Sequence, residues 1–208
     1  MMKSAPRLST TWGFATTWIL LVSSISAGAE KGPDFSGQDL SLRNLSKMNL
    51  ENANFEDAVC KQTNFDGGKL VGANFQGANL TEASFANSDA SNADFRGATL
   101  TRTAFFKATL DGANLENQDL STNSLTMTRF HKANLRNLKG IGGVIDVDFS
   151  EADLRGANLT NMKVYGKTQF REAKYDKKTR WPQGFDVKAS GAILAEEPAK
   201  SDVPKSKP

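Results

Sequence analysis

The residues from which chemistry could be built are few. His131 is the single histidine and Cys60 the single cysteine in 208 residues. Without a second histidine or cysteine the common zinc ligand sets cannot be assembled, and neither a metal nor a cofactor is expected. No cysteine or serine nucleophile can be matched to a convincing base, so nucleophilic catalysis lacks its activator. Gly140-Ile141-Gly142-Gly143 is glycine-rich, yet it lacks the lysine and threonine that complete a phosphate cradle. Carboxylates recur along the whole chain, a spread that marks solvated surface rather than a paired acid and base. Trp181 could offer a ligand an aromatic platform or serve as a hydrophobic cover. The inventory points away from an enzyme.

What must position these residues is a repeat. Steps of five from Phe35 through Leu40, Leu45, Leu50, Phe55 and Cys60 to Leu135 meet Leu or Phe at nineteen of twenty-one positions. The exceptions are Cys60 and Ala90. A small residue stands two places before most centres, as in Ala53, Ala73, Ala83 and Ala113, and Asn or Asp often stands one place before. Five residues of α-helix advance about 500°, which smears the stripe around the helix. In a continuous strand an odd period throws every second centre to the opposite face. The chain must therefore turn once per pentapeptide, and short extended pieces wound into a solenoid keep every centre inside. Phe recurs every ten residues from Phe55 to Phe105. Coils of twenty stack Phe55, Phe75 and Phe95 on one face and Phe65, Phe85 and Phe105 on the opposite one. Coils of fifteen would mix Phe with Leu or Ala, so four sides are expected. Asn and Asp suit the turns because their short side chains bond nearby backbone.

A tandem A(N/D)(L/F)xx of this length resembles the pentapeptide-repeat family. The resemblance implies an all-β fold, a right-handed four-sided parallel β-helix. The segment Tyr175-Asp176-Lys177-Lys178-Thr179-Arg180-Trp181-Pro182-Gln183-Gly184-Phe185-Asp186 is similar to the closing segment of many such proteins. Trp181 and Phe185 are expected to cap the last coil, whose apolar top and unpaired backbone would otherwise be bare. An open coil end would also allow two rods to join end to end.

The expected organisation is an export signal over 1–29, a solenoid over 30–139 and a Gly-rich loop over 140–148. Final irregular repeats over 149–175, a cap over 176–194 and a disordered tail over 195–208 complete it. Lys3 and Arg7 precede an apolar run from Phe14 to Ile25, and Ala27-Gly28-Ala29 has the form of a signal-peptidase site. Cleavage there would leave no stable membrane span and would place the protein in a periplasm, thylakoid lumen or extracellular space. Cys60 stands at a centre and reads as a small buried hydrophobe. The first coil departs from the pattern at its inward small sites with Gln38, Arg43 and Met48, and Gln118 and Asn123 depart from it later.

Some members of the family resemble duplex DNA in shape and charge and bind type II topoisomerases. Such mimicry needs acidic stripes, and residues 30–139 hold 13 acidic against 12 basic residues. Asp34, Glu56, Asp57, Asp94 and Glu116 do share a face, but Arg96 and Arg136 interrupt it. Basic residues are scattered, so no nucleic-acid partner is expected either. The face centred on Leu45, Phe65, Phe85, Phe105 and Leu125 is the least polar and displays Ala86, Ala104, Phe106 and Met127. That patch is the candidate protein-binding surface, and the expected function is that of an exported interaction or structural module with an unknown protein partner.

Overall fold

The computed structural model describes residues 31–195. The signal segment with Ala27 and Ala29, and the tail from 196 onward, lie outside the described residues. The described chain is a right-handed four-sided β-helix, and its rungs are regular. Asp34 bridges Asn54, Asn54 bridges Asn74 and Asn74 bridges Asp94, each in parallel and each twenty residues on. The other three sides repeat the same step, as in Asp39 to Val59, Asn44 to Asn64 and Asn49 to Lys69.

One pentapeptide explains the rest. The Phe55 N–H donates to the Asn74 carbonyl of the next coil at 2.7 Å, and the Asn74 N–H returns a bond to Ala53 at 2.9 Å. The Ala58 N–H then closes a four-residue turn onto the Phe55 carbonyl at 3.0 Å. The third residue of that turn, Asp57, has φ of 55°, the left-handed conformation that a type II turn requires. Asn and Asp also brace the corner from the front. Asn64 Oδ1 accepts the Asp66 N–H at 2.8 Å, and Asn74 Oδ1 accepts that of Gln76 at 3.0 Å. Where a turn carboxylate or amide points toward the next coil, glycine makes room. A Cβ on Gly72 would lie 2.5 Å from Asn52 Oδ1.

The core is filled by stacks that follow the coils. Phe35, Phe55, Phe75 and Phe95 stack at centroid spacings of 5.0, 4.7 and 5.1 Å on one side. Phe65, Phe85 and Phe105 stack at 4.8 and 5.3 Å opposite them. The two stacks meet edge to face at 5.5–6.0 Å across the lumen. Past Phe105 the rings move to the Leu50 side, where Phe130, Phe149 and Phe170 stack at 5.4 and 5.1 Å. The inward small residues Ala53, Ala73, Ala83 and Ala113 are buried beside them.

The six short strands all lie late in the rod. β1 (Asp119–Leu120) pairs in parallel with β2 (Gly140–Ile141), and β3 (Gly143–Ile145) with β4 (Lys163–Tyr165). β5 (Lys174–Tyr175) pairs with β6 (Ile193–Leu194). Where glycine spacing pointed to a loop over 140–148, the chain stays in the ladder. Leu138, Ile141, Val144 and Val147 are all buried, and the coil is simply one residue short, since Arg129 bridges Asp148. Glycine serves close approach here: a Cβ on Gly142 would lie 2.9 Å from the Ser121 carbonyl. Val164 takes a centre position but stays exposed, because no further full coil covers it.

Among the described residues the ladder fails at three places: Thr99 has no bridge to Asp119, Ser124 has none to Gly143, and Asn158 bridges only onward to Arg180. On the Leu40 side, bridges join Asp39 to Val59, Val59 to Asn79 and Asn79 to Thr99, and β1 pairs onward with β2, but none joins Thr99 to Asp119. The inward sites flanking Leu120 hold Gln118 and Asn123, 6% and 8% exposed. The Gln118 amide donates to the Phe95 carbonyl at 2.9 Å, and that of Asn123 to Leu100 and Thr103 at 2.7 and 2.9 Å.

Candidate functional site

The register fixes which outward residues share a face. The Lys107 N–H donates to Thr126, the Met127 N–H donates to Ile145, and Ile145 pairs with Tyr165. Ala86, Phe106, Thr126, Ile145 and Tyr165 therefore form one column, the first four each immediately after a buried centre and Tyr165 after the exposed centre Val164. Phe106, Ile145 and Tyr165 are exposed, with Met127 exposed one place along. Ala86 and Ala104 are half-buried beside Phe106. The four residues singled out from sequence thus lie together. Ile145 and Tyr165 extend the stripe, and sequence reasoning missed them because the shortened coil shifts the register. Stepping back from Phe149 to Val144 would have placed Ile145 one after a centre, as Phe106 is after Phe105.

Cations edge the later part of this stripe, while at its other end Asp66 Oδ1 accepts the Ala86 N–H at 2.9 Å. Lys107 Nζ sits 5.0 Å from the centroid of the Phe106 ring, a cation–π contact. Lys163 and Lys167 flank Tyr165 in the chain. Asp146 is the carboxylate among them, and its Oδ1 accepts the Lys167 N–H at 2.7 Å. The face centred on Phe35 is of another kind. Arg96 grips Asp94 through two nitrogens at 2.6–3.0 Å, and Arg155 grips Asp153 at 2.5–3.1 Å. Burial pushes the Asp153 carboxyl up, but the Arg155 bonds and charge outweigh it and hold the group below the ordinary carboxylate range. Asp94 and Asp153 are thus neutralised in place, while Asp34, Glu56, Asp57 and Glu116 make no ion pair among the described residues, and Asn54, Asn74, Asn114 and Asn134 add amide pairs at 3.0 Å between coils.

The remaining candidates are accounted for singly. Cys60 is fully buried, and burial, with Asp39 adding, pushes its thiol up to about 12. His131 Nε2 lies 3.8 Å from Glu151, which also meets Lys132 at 3.5 Å. Among the described residues no group of His, Cys, Asp and Glu is placed to hold a metal ion, and no helix is long and apolar enough to cross a membrane. At the C-terminal end Trp181 stacks on Phe185 at 4.9 Å and 2°, and both rings meet Phe170 edge-on at 5.6 and 5.4 Å. Asn158 bridges Arg180, so Trp181 falls in the Leu40 column as the centre of a partial coil.

A family model described as Pentapeptide repeats matches in eight copies over residues 34–70, 69–105, 98–137 and 145–165, more than half of the chain. Among solved structures, a pentapeptide repeat protein from the thylakoid lumen of Arabidopsis thaliana is 32% identical. The alignment covers 50% of this chain and 68% of that one, with a TM-score of 0.39. HetL, a pentapeptide repeat protein involved in heterocyst differentiation regulation in the cyanobacterium Nostoc, is 26% identical over 77% and 71% of the two chains, with a TM-score of 0.37. QnrB1, a plasmid-mediated fluoroquinolone resistance protein, is 19% identical over 81% and 94%, with a TM-score of 0.42. No curated protein matches.

Proposed function

The chain belongs to the pentapeptide-repeat family, and we propose that it is an exported, non-enzymatic solenoid whose Leu45 face docks a protein partner. The observation that supports this is the stripe of Phe106, Met127, Ile145 and Tyr165, exposed on a rigid ladder and edged by Lys107, Lys163 and Lys167. An apolar surface with a cationic rim fits a partner that presents an apolar patch ringed by Asp and Glu, since opposite charges steer encounter while the buried apolar centre supplies affinity. Trp181 and Phe185 act as the cap of the rod, and the Lys3 to Ala29 segment acts as the export signal.

Immobilised mature protein should retain one partner from the compartment into which it is exported. A Phe106→Asp/Tyr165→Asp variant should lose that partner, and Lys107→Glu/Lys163→Glu should make its capture weaker and less salt-sensitive. Capture unchanged in both variants overturns the docking face. Separately, cell fractionation with N-terminal sequencing should find Glu30 as the first residue outside the cytosol. An intact cytosolic chain overturns export.

The second reading, a DNA mimic directed at type II topoisomerase, needs free acidic charge outside the solenoid. Asp94 and Asp153 are held by Arg96 and Arg155, which argues against it. Full gyrase activity on supercoiling in the presence of the protein would remove it.

A further inference from the structure

The missing rung between Thr99 and Asp119 is flanked by two large inward side chains, Gln118 and Asn123. Inward polar residues are common in this rod, and the smaller ones leave the ladder whole. Thr63 and Thr103 each donate to a carbonyl of the preceding coil at 2.8 Å, and the bridges on both sides of them are intact. Gln118 and Asn123 make the same kind of bond with a larger amide. Toward the preceding coil the rung between the two amides is lost, while Asp94–Asn114 before it and Ala104–Ser124 after it are kept.

The loss can be read group by group. One coil earlier, the Leu80 N–H donates to Thr99 and the Thr99 N–H donates to Ala78, both at 2.9 Å. The corresponding bonds from Leu100 to Asp119 and from Asp119 to Ala98 are not made, and the Arg102 N–H turns instead to Thr122 Oγ1 at 3.1 Å. Between the lips lies a half-open hollow of about 520 Å³, many times a water molecule's share of liquid volume, about 30 Å³. Its walls include Thr99, Thr101, Ser121 and Thr122. Backbone groups left open in this way must be met by water or by a ligand.

We infer that this cleft is a binding site for a small neutral amide, the backbone unit of a short peptide. The open groups are N–H on one strand facing C=O on the other, so an occupant must accept and donate together, as an amide does. Charge selects against ions. Arg96 is committed to Asp94, and Asp119 Oδ1 accepts the Ser121 N–H at 2.9 Å. Asp119 keeps its charge, so the lining holds Glu116 and Asp119 against Arg96 and Lys139, two of each sign. Glycerol could meet single hydrogen bonds but lacks the fixed donor–acceptor spacing.

The test is a titration of the full mature chain with N-acetylglycine methylamide, followed by amide NMR. Saturable shifts confined to Gly97, Leu100, Asp119 and Ser121 are expected, with glycerol giving at least tenfold weaker binding. The variant Gln118→Ala/Asn123→Ala restores the small inward pair, should close the rung and should abolish those shifts. Ser121→Leu, a change at an exposed wall position that leaves the core alone, should weaken binding at least tenfold. Non-saturating or dispersed shifts, equal response to glycerol, or unchanged binding in the folded variants would each overturn the inference.

Discussion

Phe105 and Phe106 are neighbours in the chain and opposites in the fold, which makes them a direct test of register. Phe105 is fully buried, stacked on Phe85 at 5.3 Å and edge-on to Phe95 at 6.0 Å. Phe106 is 38% exposed and touches Lys107. Truncating a buried phenylalanine costs about 3–5 kcal/mol, from lost transfer energy and the cavity left behind. The same change at Phe106 forfeits an exposed cation–π contact and little else, under about 1 kcal/mol. With a urea dependence of about 2 kcal/mol per molar, Phe105→Ala should lower the unfolding midpoint by roughly 1.5–2.5 M and Phe106→Ala by less than about 0.5 M. Equilibrium denaturation followed by circular dichroism reads both. Equal losses, or a larger loss at Phe106, would mean that the centres are displaced by one residue, and every facial assignment here would fall with them.

The Cys60 thiol should resist a thiol reagent in the native protein and react on unfolding, since burial holds it protonated with a pKa of about 12; rapid native labelling would contradict the core placement. Hydrogen exchange should find the Leu100 and Gly97 amides exchanging at least tenfold faster than Leu80 and Gly77, whose bonds to Thr99 and Arg96 are intact. Burial raises the Asp176 carboxyl, but the Gly156 N–H at 2.9 Å, the Thr179 hydroxyl and the Lys178 and Thr179 amides at 3.0 Å outweigh it and hold the pKa below the ordinary value. Its stabilisation is therefore complete above about pH 4 and fades as pH falls through the lower, folded value. Melting temperature against pH should show that acid loss in the wild type and a smaller one in Asp176→Asn. Gly72→Ala should destabilise, because φ is +69° and the new Cβ would lie 2.5 Å from Asn52 Oδ1; a neutral melting temperature would refute that close approach.

The four sides and the stacking of Phe on Phe were legible in sequence because a single spacing governs them: a period of five, with rings every ten. The inward role of Ala53 or Ala113 was legible for the same reason. Where the spacing changes, legibility stops. Three glycines between 140 and 143 read as punctuation, yet two of them, Gly140 and Gly142, let the backbone pass close to Ser121, a tertiary demand that no local propensity reports. The loosening at Gln118 and Asn123 was visible as a departure from small residues. Its consequence was not, because a lost rung depends on whether the neighbouring coil yields, and the threonines show that it often does not.

Each rung runs along the axis of the rod, so a pull on the two ends loads the rungs one after another instead of all together. Under such tension the solenoid should peel like tape from a roll, coil by coil at low force. Each coil would release nineteen to twenty-one residues, about 65–70 Å of extended chain. The rungs already missing set soft steps within that sequence. A rod built this way is stiff against bending and crushing, while end-on it is a spool.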